Sequence, residues 1–259
     1  MFLEGPGPHG MVSRGIGPPF RTWPEANAAN LGKRARLARS VKPTFDPQTG
    51  LIPAIAQDRL TGEIRMVAWM NREALSRTLE TGKATFFSRS RQALWEKGES
   101  SGHSLRVRRI AADCDADVLL LLVDPEGPSC HTGRPNCFFH EVESVDTLVE
   151  QPGEALPFLG ELERVIKTRT ESSAEKSYTR SLLDAGPPKI GAKLREEADE
   201  LSRAIAEETE ERVASEAADV LFHTLVGLRA RGVSVRAVLD KLASRMGTSG
   251  HVEKASRKG

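Results

Sequence analysis

The feature that most constrains this chain is the segment of residues 113–137, which contains all three of its cysteines. The segment begins with Asp-Cys-Asp-Ala-Asp at residues 113–117 and ends with Cys-His-Thr-Gly-Arg-Pro-Asn-Cys at residues 130–137. Thiolates are soft ligands that suit zinc, whereas carboxylates are hard ligands that suit magnesium and similar ions. Any fold of this chain must present both ligand types within one short segment, which predicts a two-metal hydrolytic site.

The aspartates of this segment alternate with other residues, as the residues on one face of a strand do. In a strand, residues i, i+2 and i+4 point to the same side. We therefore expect Asp113, Asp115 and Asp117 to share a face that binds a hard cation, with Cys114 on the opposite side. The alternative is that the three acids form a solvated turn.

The number of cysteines matches a zinc site with one open coordination position. Cys114, Cys130 and Cys137 offer three ligands, which leaves the fourth position of a tetrahedral zinc ion free for water. Zinc lowers the pKa of that water to roughly 7 and makes hydroxide available at neutral pH. Two alternatives stay open: the cysteines are small core residues, or His131 or His140 completes a closed structural site. We favour His131 as an acid or base, because adjacent residues rarely bind the same ion.

Bulk composition excludes several classes of protein. With 259 residues the chain has room for one large domain or two small ones. Its net charge of +1 gives no support for a nucleic-acid or membrane partner, and it has no apolar run of about eighteen residues that could span a bilayer. Cysteines clustered beside acids favour a metal over a disulfide, which predicts a reducing, cytoplasmic compartment.

Residues 1–44 differ from the rest and are predicted to form a disordered or irregular extension. Residues 1–40 carry five arginines and one lysine, but only Glu4 and Glu25 as acids. An organelle transit peptide is also arginine-rich and acid-poor, but it is usually rich in serine, and only Ser13 and Ser40 occur here. We expect a disordered arm or coding sequence upstream of the true start, with a plastid transit peptide as the alternative.

Residues 45–140 are predicted to form an α+β domain that is mostly β. Apolar or alternating runs typical of strands lie at residues 51–57, 63–70, 84–88, 104–110 and 118–124, with a hairpin turn at residues 58–62. Asn71 can cap a helix that continues to Glu80, with Gly82 just past its end.

The rest of the chain is predicted to be a linker followed by a second, helical domain. Residues 141–157 are acidic and contain Pro152-Gly153, which indicates a linker with one short turn of helix. From residue 158 to 250, apolar residues recur at three- and four-residue spacing, which predicts an all-α bundle with helices from residue 158 and at residues 189–207, 210–231 and 235–246. Residues 251–259 are predicted to be a frayed tail.

Two polar stretches before the cysteine segment suit an anionic substrate. Residues 88–91 contribute Arg89 and Arg91, and residues 94–103 contribute Trp95 and Lys97. Arginine can bind phosphate through two parallel hydrogen bonds, and a tryptophan ring can stack on a base. Each stretch alone is equally compatible with an ordinary charged surface.

Six motifs in the first domain together resemble a known enzyme family. They are Phe-Phe-Ser-Arg-Ser at residues 86–90, Leu-Trp-Glu-Lys-Gly-Glu at 94–99, Ser-Gly-His at 101–103, Asp-Cys-Asp-Ala-Asp at 113–117, Gly-Pro-Ser-Cys-His-Thr-Gly at 127–133 and Cys-Phe at 137–138. Over residues 51–139 the chain closely resembles the phosphoribosyl-AMP cyclohydrolases of histidine biosynthesis.

This resemblance implies an enzyme that hydrolyses the N1–C6 bond of the adenine ring of phosphoribosyl-AMP. It implies two sets of metal ligands, Cys114, Cys130 and Cys137 for zinc and Asp113, Asp115 and Asp117 for magnesium. It also implies a homodimer whose sites combine both subunits, so that Cys114 shares its zinc with cysteines of the other chain. His131 or His103 is expected to move the protons that ring opening requires.

A second group of acids lies in the helical half. Glu197 and Glu200 stand at i and i+3, as do Glu216 and Asp219, so each pair shares a helix face. If the two helices are antiparallel neighbours, the pairs meet, and facing carboxylates then need cations such as magnesium between them. Asp219 lies in an apolar stretch, which predicts that it is buried. The alternative for any one of these acids is a solvated helix face.

The helical half resembles phosphoribosyl-ATP pyrophosphatase, of the all-α nucleotide pyrophosphohydrolase superfamily. The resemblance covers residues 158–246 and rests on Glu-Ala-Asp-Glu at 197–200 and Glu-Ala-Ala-Asp at 216–219. It implies magnesium ligands at Glu197, Glu200, Glu216 and Asp219, with Glu196 as a weaker candidate. Lys193 stands where a basic residue is usual in the family and is expected to contact the substrate.

The two resemblances together predict a bifunctional hydrolase of histidine biosynthesis that binds Zn²⁺ and Mg²⁺. The helical domain is expected to cleave phosphoribosyl-ATP to phosphoribosyl-AMP and diphosphate, and the first domain to open the adenine ring of phosphoribosyl-AMP. The expected partners are these small phosphoribosyl nucleotides and a second copy of the chain, without nucleic acid or membrane. The alternative is a general nucleotide pyrophosphatase that carries a structural zinc module.

Overall fold

The computed structural model describes residues 41–171 and 177–245. The predictions made for residues 1–40 and for the tail at 251–259 lie outside this described part. Within it, no helix combines the length and apolar character needed to cross a membrane.

A six-stranded sheet forms the first half of the described chain. Its strands are β1 (Ile52–Asp58), β2 (Ile64–Met70), β3 (Thr85–Ser88), β4 (Ala93–Glu96), β5 (Leu105–Ala112) and β6 (Leu119–Pro125). The spatial order is β4-β3-β2-β1-β6-β5. Within this sheet neighbouring strands run antiparallel, apart from β1 and β6, which are parallel. The predicted mostly-β fold is confirmed, and β4 is an addition, because its four residues lie in a stretch interpreted as a polar loop.

Continuous apolar runs explain why the central strands β1 and β6 occupy the core. In β1 every second residue is buried, as it is through most of β6. Ile52, Met70, Phe86 and Leu121 are fully buried in one cluster. Strands that alternate in this way bury one face, so the sheet has a complete apolar core of its own.

One helix, α1 (Arg72–Thr81), packs against the sheet, and both of its predicted ends are confirmed. The Asn71 side chain accepts a hydrogen bond from the backbone N–H of Ala74, as an N-cap does. Gly82 adopts φ 72° and donates its N–H to the carbonyl of Thr78, which closes the last turn.

A β-hairpin lies where one short turn of helix was predicted within the linker, and the prediction of that helical turn was wrong. The hairpin consists of β7 (His140–Ser144) and β8 (Thr147–Glu150). Its residues are mostly exposed on both faces, so the sequence lacks the alternation that marks a half-buried strand. Arg134 holds the hairpin instead, since its guanidinium lies 2.6 Å from a Glu150 carboxylate oxygen and 4.2 Å from the centre of the Phe139 ring.

The second half of the described chain is helical, as predicted. It contains α2 (Phe158–Glu171), α3 (Tyr178–Glu207), α4 (Glu210–Ala230) and α5 (Val235–Arg245). Helix α3 begins earlier than the predicted helix at residues 189–207, because a further helical stretch precedes Gly186. Gly186 has φ 79° and ψ 179° and so forms a kink between the two stretches. Two residues join α3 to α4, and the Thr209 side chain caps α4. Such a short connection makes the two helices antiparallel neighbours, which is the condition under which their acidic pairs were expected to meet.

Two glycines with positive φ allow a matched stability test. Gly82 has open space around an added Cβ, whereas a Cβ at Gly98 (φ 93°) would lie 2.6 Å from the backbone nitrogen of Ser104. We expect Gly82→Ala to cost about 1–2 kcal/mol, the penalty of the left-handed conformation. Gly98→Ala should cost more, because the backbone of Ser104 must also move.

Urea unfolding followed by tryptophan fluorescence measures this difference. Trp69 and Trp95 lie in the sheet and the described helical half has no tryptophan, so with the third tryptophan, Trp23, replaced by phenylalanine in every variant the signal reports on the first domain. Equal losses of unfolding free energy in the two variants would contradict the predicted contact at Gly98.

Candidate functional site

A cleft of about 530 Å³ beside the sheet collects most of the residues predicted for the first site. The predicted residues that line it are Arg91, Trp95, Lys97, His103, Cys130, His131 and Cys137. They come from the loop after β3, from β4, from the loop before β5 and from the segment after β6. Residues far apart in sequence therefore meet here around two thiols.

The two thiols of the cleft interact with each other but titrate differently. Burial opposes ionisation of Cys130, but hydrogen bonds, chiefly from the Thr132 hydroxyl at 3.1 Å, outweigh it and lower the pKa of Cys130. Cys137 keeps part of its surface in solvent, yet the atoms packed around its sulfur desolvate the thiol. This desolvation and the neighbouring Cys130 raise the pKa of Cys137 to about 11. The pair therefore favours one thiolate over two when no cation is present.

Lys97 supplies a buried positive charge beside these thiols. It is only 8% exposed, and its Nζ donates a hydrogen bond to the carbonyl of His103 at 3.2 Å. Burial lowers the pKa of Lys97, although the nearby cysteines oppose the shift. A cation so placed favours thiolate over thiol, which is the ionisation state that binds metal.

The two candidate histidines both line the cleft, in different environments. The ring of His103 packs on Gly127, where an added Cβ would lie 2.7 Å from the histidine Cδ2. His131 is exposed, with its Nδ1 3.9 Å from the Cys130 sulfur. His140, the alternative fourth ligand, lies in β7 and lines a separate hollow. The roles of His103 and His131 stay predictions.

Cys114 does not join Cys130 and Cys137 within one chain. The backbone N–H of Cys137 bonds to the carbonyl of Arg65 at the start of β2, which lies beside the end of β1. Cys114 precedes β6, which runs parallel to β1, so Cys114 lies near the start of β1 at the opposite end of the sheet. It is exposed there. A zinc site with all three cysteines therefore needs a second copy of the chain.

The three aspartates converge, but not through the strand geometry that the sequence suggested. Strand β5 ends at Ala112, and residues 113–117 form a turn in which Ala116 has φ 62°. The turn forms because Asp113 Oδ1 accepts hydrogen bonds from the backbone N–H groups of Asp117 at 3.0 Å and Val118 at 3.1 Å. Carboxylate oxygens of Asp113, Asp115 and Asp117 lie within 4.8 Å of one another.

The electrostatics of this turn favour a bound cation. The charge of Asp115 is the main cause that raises the pKa of Asp117. The backbone N–H of Val118 is the main cause that lowers the pKa of Asp113. Acids that repel one another in this way gain from a shared divalent ion, and the described turn could hold one.

The predicted phosphate-binding arginines lie at the β3–β4 turn. Arg91 lines the thiol cleft, and its backbone N–H bonds to the Ser88 hydroxyl at 3.2 Å. Arg89 is not part of that cleft. Its guanidinium stacks on the Trp69 ring at 4.9 Å and lines an adjacent hollow, to which Trp95 also contributes. The two hollows meet at Trp95, whose ring also contacts Phe86 at 5.2 Å.

The predicted acidic site of the helical half is also assembled. Carboxylate oxygens of Glu197 and Glu200 on α3 and of Glu216 on α4 lie within 4.8 Å of one another. Burial is the main cause that raises the pKa of Glu216, and the charges of Glu200 and Asp219 add to it. Lys193 lies 2.9 Å from Glu197 and 2.9 Å from Glu196, and its hydrogen bond to Glu197 is the main cause that raises its own pKa.

The prediction that Asp219 is buried was wrong. Asp219 is exposed, whereas Glu197 and Glu216 are buried. The buried stripe of α4 runs through Glu216, His223 and Val226, and Asp219 lies at the margin of that stripe. An apolar sequence neighbourhood did not reveal this, because the flanking alanines of α4 are themselves exposed.

His223 is a member of this helical site that sequence reasoning missed. It is 3% exposed, its Nε2 lies 3.0 Å from the Tyr178 hydroxyl and its Nδ1 lies 2.8 Å from the Asp219 carbonyl. Nδ1 is also 3.9 Å from a Glu197 carboxylate oxygen. The sequence feature that could have indicated this role is the position of His223, four residues after Asp219 in an otherwise apolar helix.

Comparison with known families agrees with this two-part architecture. The family model described as phosphoribosyl-AMP cyclohydrolase matches residues 66–139. The model described as phosphoribosyl-ATP pyrophosphohydrolase matches residues 159–246. The first match contains the thiol cleft and the acidic turn, and the second contains the acids of α3 and α4.

Several curated proteins resemble both halves at once, each bearing the name histidine biosynthesis bifunctional protein HisIE. The protein from Parasynechococcus marenigrum is 46% identical over 205 residues, which cover 77% of this chain and 91% of that protein. The Wolinella succinogenes protein is 44% identical over 213 residues, covering 80% and 93%. The Bacillus subtilis protein is 45% identical over 198 residues, covering 76% and 92%.

The fold, the two sites and these matches define the protein as a bifunctional hydrolase with a cyclohydrolase domain and a pyrophosphohydrolase domain. The chain belongs to the bifunctional phosphoribosyl-AMP cyclohydrolase and phosphoribosyl-ATP pyrophosphohydrolase family of histidine biosynthesis.

The role of the Asp113 side chain in forming the acidic turn can be tested by substitution. Asp113→Ala removes the acceptor for two backbone N–H groups, whereas Asp113→Asn keeps an acceptor oxygen. We expect hydrogen exchange at residues 117 and 118 to accelerate about fivefold in the alanine variant, which corresponds to ~1 kcal/mol per lost bond. The asparagine variant should exchange nearly as slowly as the wild type.

Asp46→Ala is the matched control, because Asp46 Oδ1 accepts hydrogen bonds from the backbone N–H groups of Gln48 and Thr49 in the same domain. It should accelerate exchange in its own turn and not at residues 117 and 118. Unchanged exchange in Asp113→Ala would show that other contacts shape the acidic turn.

Proposed function

We propose that this protein catalyses two consecutive hydrolyses of histidine biosynthesis, in the cytoplasm and as a homodimer. The helical domain converts phosphoribosyl-ATP to phosphoribosyl-AMP and diphosphate, and the sheet domain then opens the adenine ring of phosphoribosyl-AMP. The observation that carries this proposal is the grouping of two thiols, two histidines, a buried lysine, an arginine and a tryptophan around one cleft.

The donor set of the sheet domain fits a zinc ion shared between two copies of the chain. Cys130 and Cys137 contact each other in the cleft, whereas Cys114 is exposed at the opposite end of the sheet. In the proposed homodimer, Cys130 and Cys137 of one copy and Cys114 of the other hold the ion. Three ligands leave a fourth position open, as a catalytic site requires.

Ring opening requires attack of water on an aromatic amidine carbon and protonation of the adjacent ring nitrogen. When bound, zinc lowers the pKa of water to roughly 7 and so supplies hydroxide at neutral pH. His131 or His103 moves the protons, since both histidines line the cleft. Trp95 stacks on the base, and Arg91 binds the phosphate, helped by Arg89 in the adjoining hollow.

Asp113, Asp115 and Asp117 hold magnesium in this proposal, and the oxygen donors suit that ion. Because the acidic turn lies at the same end of the sheet as Cys114, a second copy that brings Cys114 to the thiols also brings this turn close to the cleft. Asp113, Asp115 and Asp117 would then hold the ion where it could neutralise charge on the substrate phosphate.

The acids of the helical domain fit magnesium in the same way. Glu197, Glu200 and Glu216 offer converging oxygens, and Asp219 lies close enough to raise the pKa of Glu216. When bound, magnesium neutralises the diphosphate and orients the attacking water. Lys193 lies at the edge of this cluster and contacts the substrate phosphates, while Glu196 holds Lys193 in place.

The general pyrophosphatase with a structural zinc module is the alternative. In a structural module, metal contributes folding energy outright. The sheet already has an apolar core with Ile52, Phe86 and Leu121 fully buried, so it does not need zinc to fold. This favours a catalytic over a structural role for the ion.

Asp219→Asn separates the two activities. Because Asp219 is exposed, the substitution should not disturb folding. We expect diphosphate release from phosphoribosyl-ATP to fall by roughly 100-fold, the scale of one lost transition-state contact. Hydrolysis of supplied phosphoribosyl-AMP should stay unchanged, and both rates are measured in one coupled assay with Mg²⁺ and Zn²⁺.

Asp199→Asn is the matched control, because Asp199 is an exposed acid inside the α3 motif and, unlike Asp219, is not among the charges that raise the pKa of Glu216. It should keep both activities. Full pyrophosphohydrolase activity in Asp219→Asn would show that Asp219 is not a functional member of the site. Loss of both activities would contradict independent action of the two domains.

Mixing two inactive variants tests the shared zinc site. Cys114→Ser and Cys130→Ser should each abolish ring opening. After subunit exchange between them, we expect about one quarter of the wild-type activity, since half of the dimers are mixed and each mixed dimer has one intact site. Ring opening and bound zinc are measured on the same samples.

Mixing Cys130→Ser with Cys137→Ser is the control, because both cysteines belong to the same half of the site and no mixed dimer has an intact set. Recovery in this control, or none in the first mixture, would contradict a site built from two copies. Full activity of Cys130→Ser alone would remove zinc from the proposed mechanism.

A further inference from the structure

A buried polar cluster joins β2 to the cysteine segment, defined here as residues 127–138. Four of its side chains are each less than a tenth exposed: Glu63 7%, Arg65 7%, Ser129 5% and Asn136 0%. Glu63 and Arg65 lie at the start of β2, whereas Ser129 and Asn136 flank the two cysteines of the cleft. Nothing in the sequence interpretation singled out these residues.

Hydrogen bonds connect all four side chains. Both carboxylate oxygens of Glu63 are used, one by Asn136 Nδ2 at 2.6 Å and the other by Arg65 Nη1 at 2.8 Å. Arg65 also donates from Nε to the Ser129 hydroxyl at 3.0 Å and from Nη2 to the carbonyl of Gly127 at 3.2 Å. The guanidinium is therefore held at three points.

The same cluster fixes the backbone on either side of Cys137. The Cys137 N–H donates to the carbonyl of Arg65 at 3.0 Å, and the side-chain oxygen of Asn136 accepts from the N–H of Phe138 at 2.7 Å. On the other side, Ser129 N–H donates to the carbonyl of Pro135 at 3.0 Å, which closes the loop that carries Cys130. Both thiols are thus positioned by bonds that lead back to β2.

Stability alone does not account for a charged pair at this position. Removing two charges from water is costly, and well-packed apolar residues are often at least as stabilising as a buried ion pair. The apolar core of the sheet lies elsewhere, around residues such as Phe86 and Leu121. What a buried network adds is a fixed geometry, because its hydrogen bonds are satisfied in one arrangement only.

We propose that Glu63, Arg65 and Asn136 are positioning residues that hold Cys130 and Cys137 at the spacing required to bind a metal ion. This inference rests on the proposed zinc site and identifies the groups that orient its ligands. The described hydrogen bonds of the three side chains go to one another and to the cysteine segment. They act through the backbone of the cysteine segment, as the polar groups behind metal ligands do in other proteins.

The test exchanges the donor and acceptor at the centre of the cluster. Glu63→Gln leaves Arg65 without its carboxylate, and Asn136→Asp sets two carboxylates against each other where the bond is now 2.6 Å long. In the double variant, the introduced glutamine would donate to the introduced aspartate and accept from Arg65. The introduced aspartate would still accept from the N–H of Phe138. Every hydrogen bond and the net charge of the cluster are then restored.

The readout is metal binding, measured without substrate. Zinc affinity is obtained by competition with a chromophoric chelator, and cobalt(II) absorption reports the number and geometry of bound thiolates. We expect each single variant to bind zinc about 10- to 100-fold more weakly, the usual effect of altering groups behind metal ligands. The double variant should recover wild-type affinity to within about threefold and regain the wild-type cobalt spectrum.

Asp124→Asn is the matched control for lost ion pairs. Asp124 binds Arg59 at 2.6 Å and Arg108 at 2.7 Å in the same domain, and none of these three residues belongs to the cysteine segment or bonds to Glu63, Arg65 or Asn136 among the described hydrogen bonds. It should lower the unfolding midpoint without changing zinc affinity. Ser129→Ala provides a milder variant that removes one acceptor of Arg65 without changing charge, and it should weaken zinc binding while the domain stays folded.

The outcomes separate this inference from the function on which it rests. Wild-type affinity in both single variants, or in Ser129→Ala if the single variants do not fold, overturns the positioning role but leaves the zinc site intact. A double variant as weak as either single variant also overturns it. A wild-type protein that binds no zinc, although Cys114, Cys130 and Cys137 are reduced, overturns both.

Discussion

The parallel pairing of β1 with β6 is the constraint on which the first site depends. Because the two strands run in the same direction, the acidic turn that precedes β6 lies near the start of β1. Antiparallel pairing of β1 with β2 places the start of β2, and with it the cysteine segment, at the end of β1. The sheet therefore separates the acids and Cys114 from the other two thiols. Two copies that complete one site in this way complete both by symmetry.

Both candidate metal sites hold several carboxylates close together. In the acidic turn, the carboxylate of Asp115 raises the pKa of Asp117, and in the helical domain burial and neighbouring acids raise the pKa of Glu216. In the helical cluster the described cations offset part of this repulsion, since Lys193 pairs with Glu197 and Arg212 pairs with Glu216. Both groups would lower their electrostatic energy by binding a divalent cation.

Features set by local chemistry could be predicted from the sequence. The ends of α1 follow from Asn71 and Gly82, and β1 and β6 follow from runs of apolar residues. The convergence of Glu197 and Glu216 follows from i, i+3 spacing on helices joined by a short connection. Each of these depends on contacts between residues that are close in sequence or in adjacent elements.

Features set by tertiary contacts could not be predicted in this way. The aspartates converge because Asp113 accepts two backbone hydrogen bonds in a turn, which alternation cannot reveal. The β7–β8 hairpin depends on Arg134, a residue outside it, and the exposure of Asp219 depends on how α4 rotates against its neighbours. The family motifs identified residues that meet at the cleft, and the sheet topology places Cys114 at the opposite end of the sheet from Cys130 and Cys137.

The metal-binding side chains proposed for the two domains are held in place by different means. Acids on α3 and α4 are held by the regular hydrogen bonds of their helices, so few further contacts are needed to fix them. Residues 127–138 have no helix or strand, and a loop of this kind does not by itself hold ligands at a fixed spacing. The side chains of Glu63, Arg65 and Asn136 supply the missing hydrogen bonds by connecting the segment to β2. A buried ion pair that is hard to justify by stability is thus understandable as a substitute for secondary structure beneath the thiols.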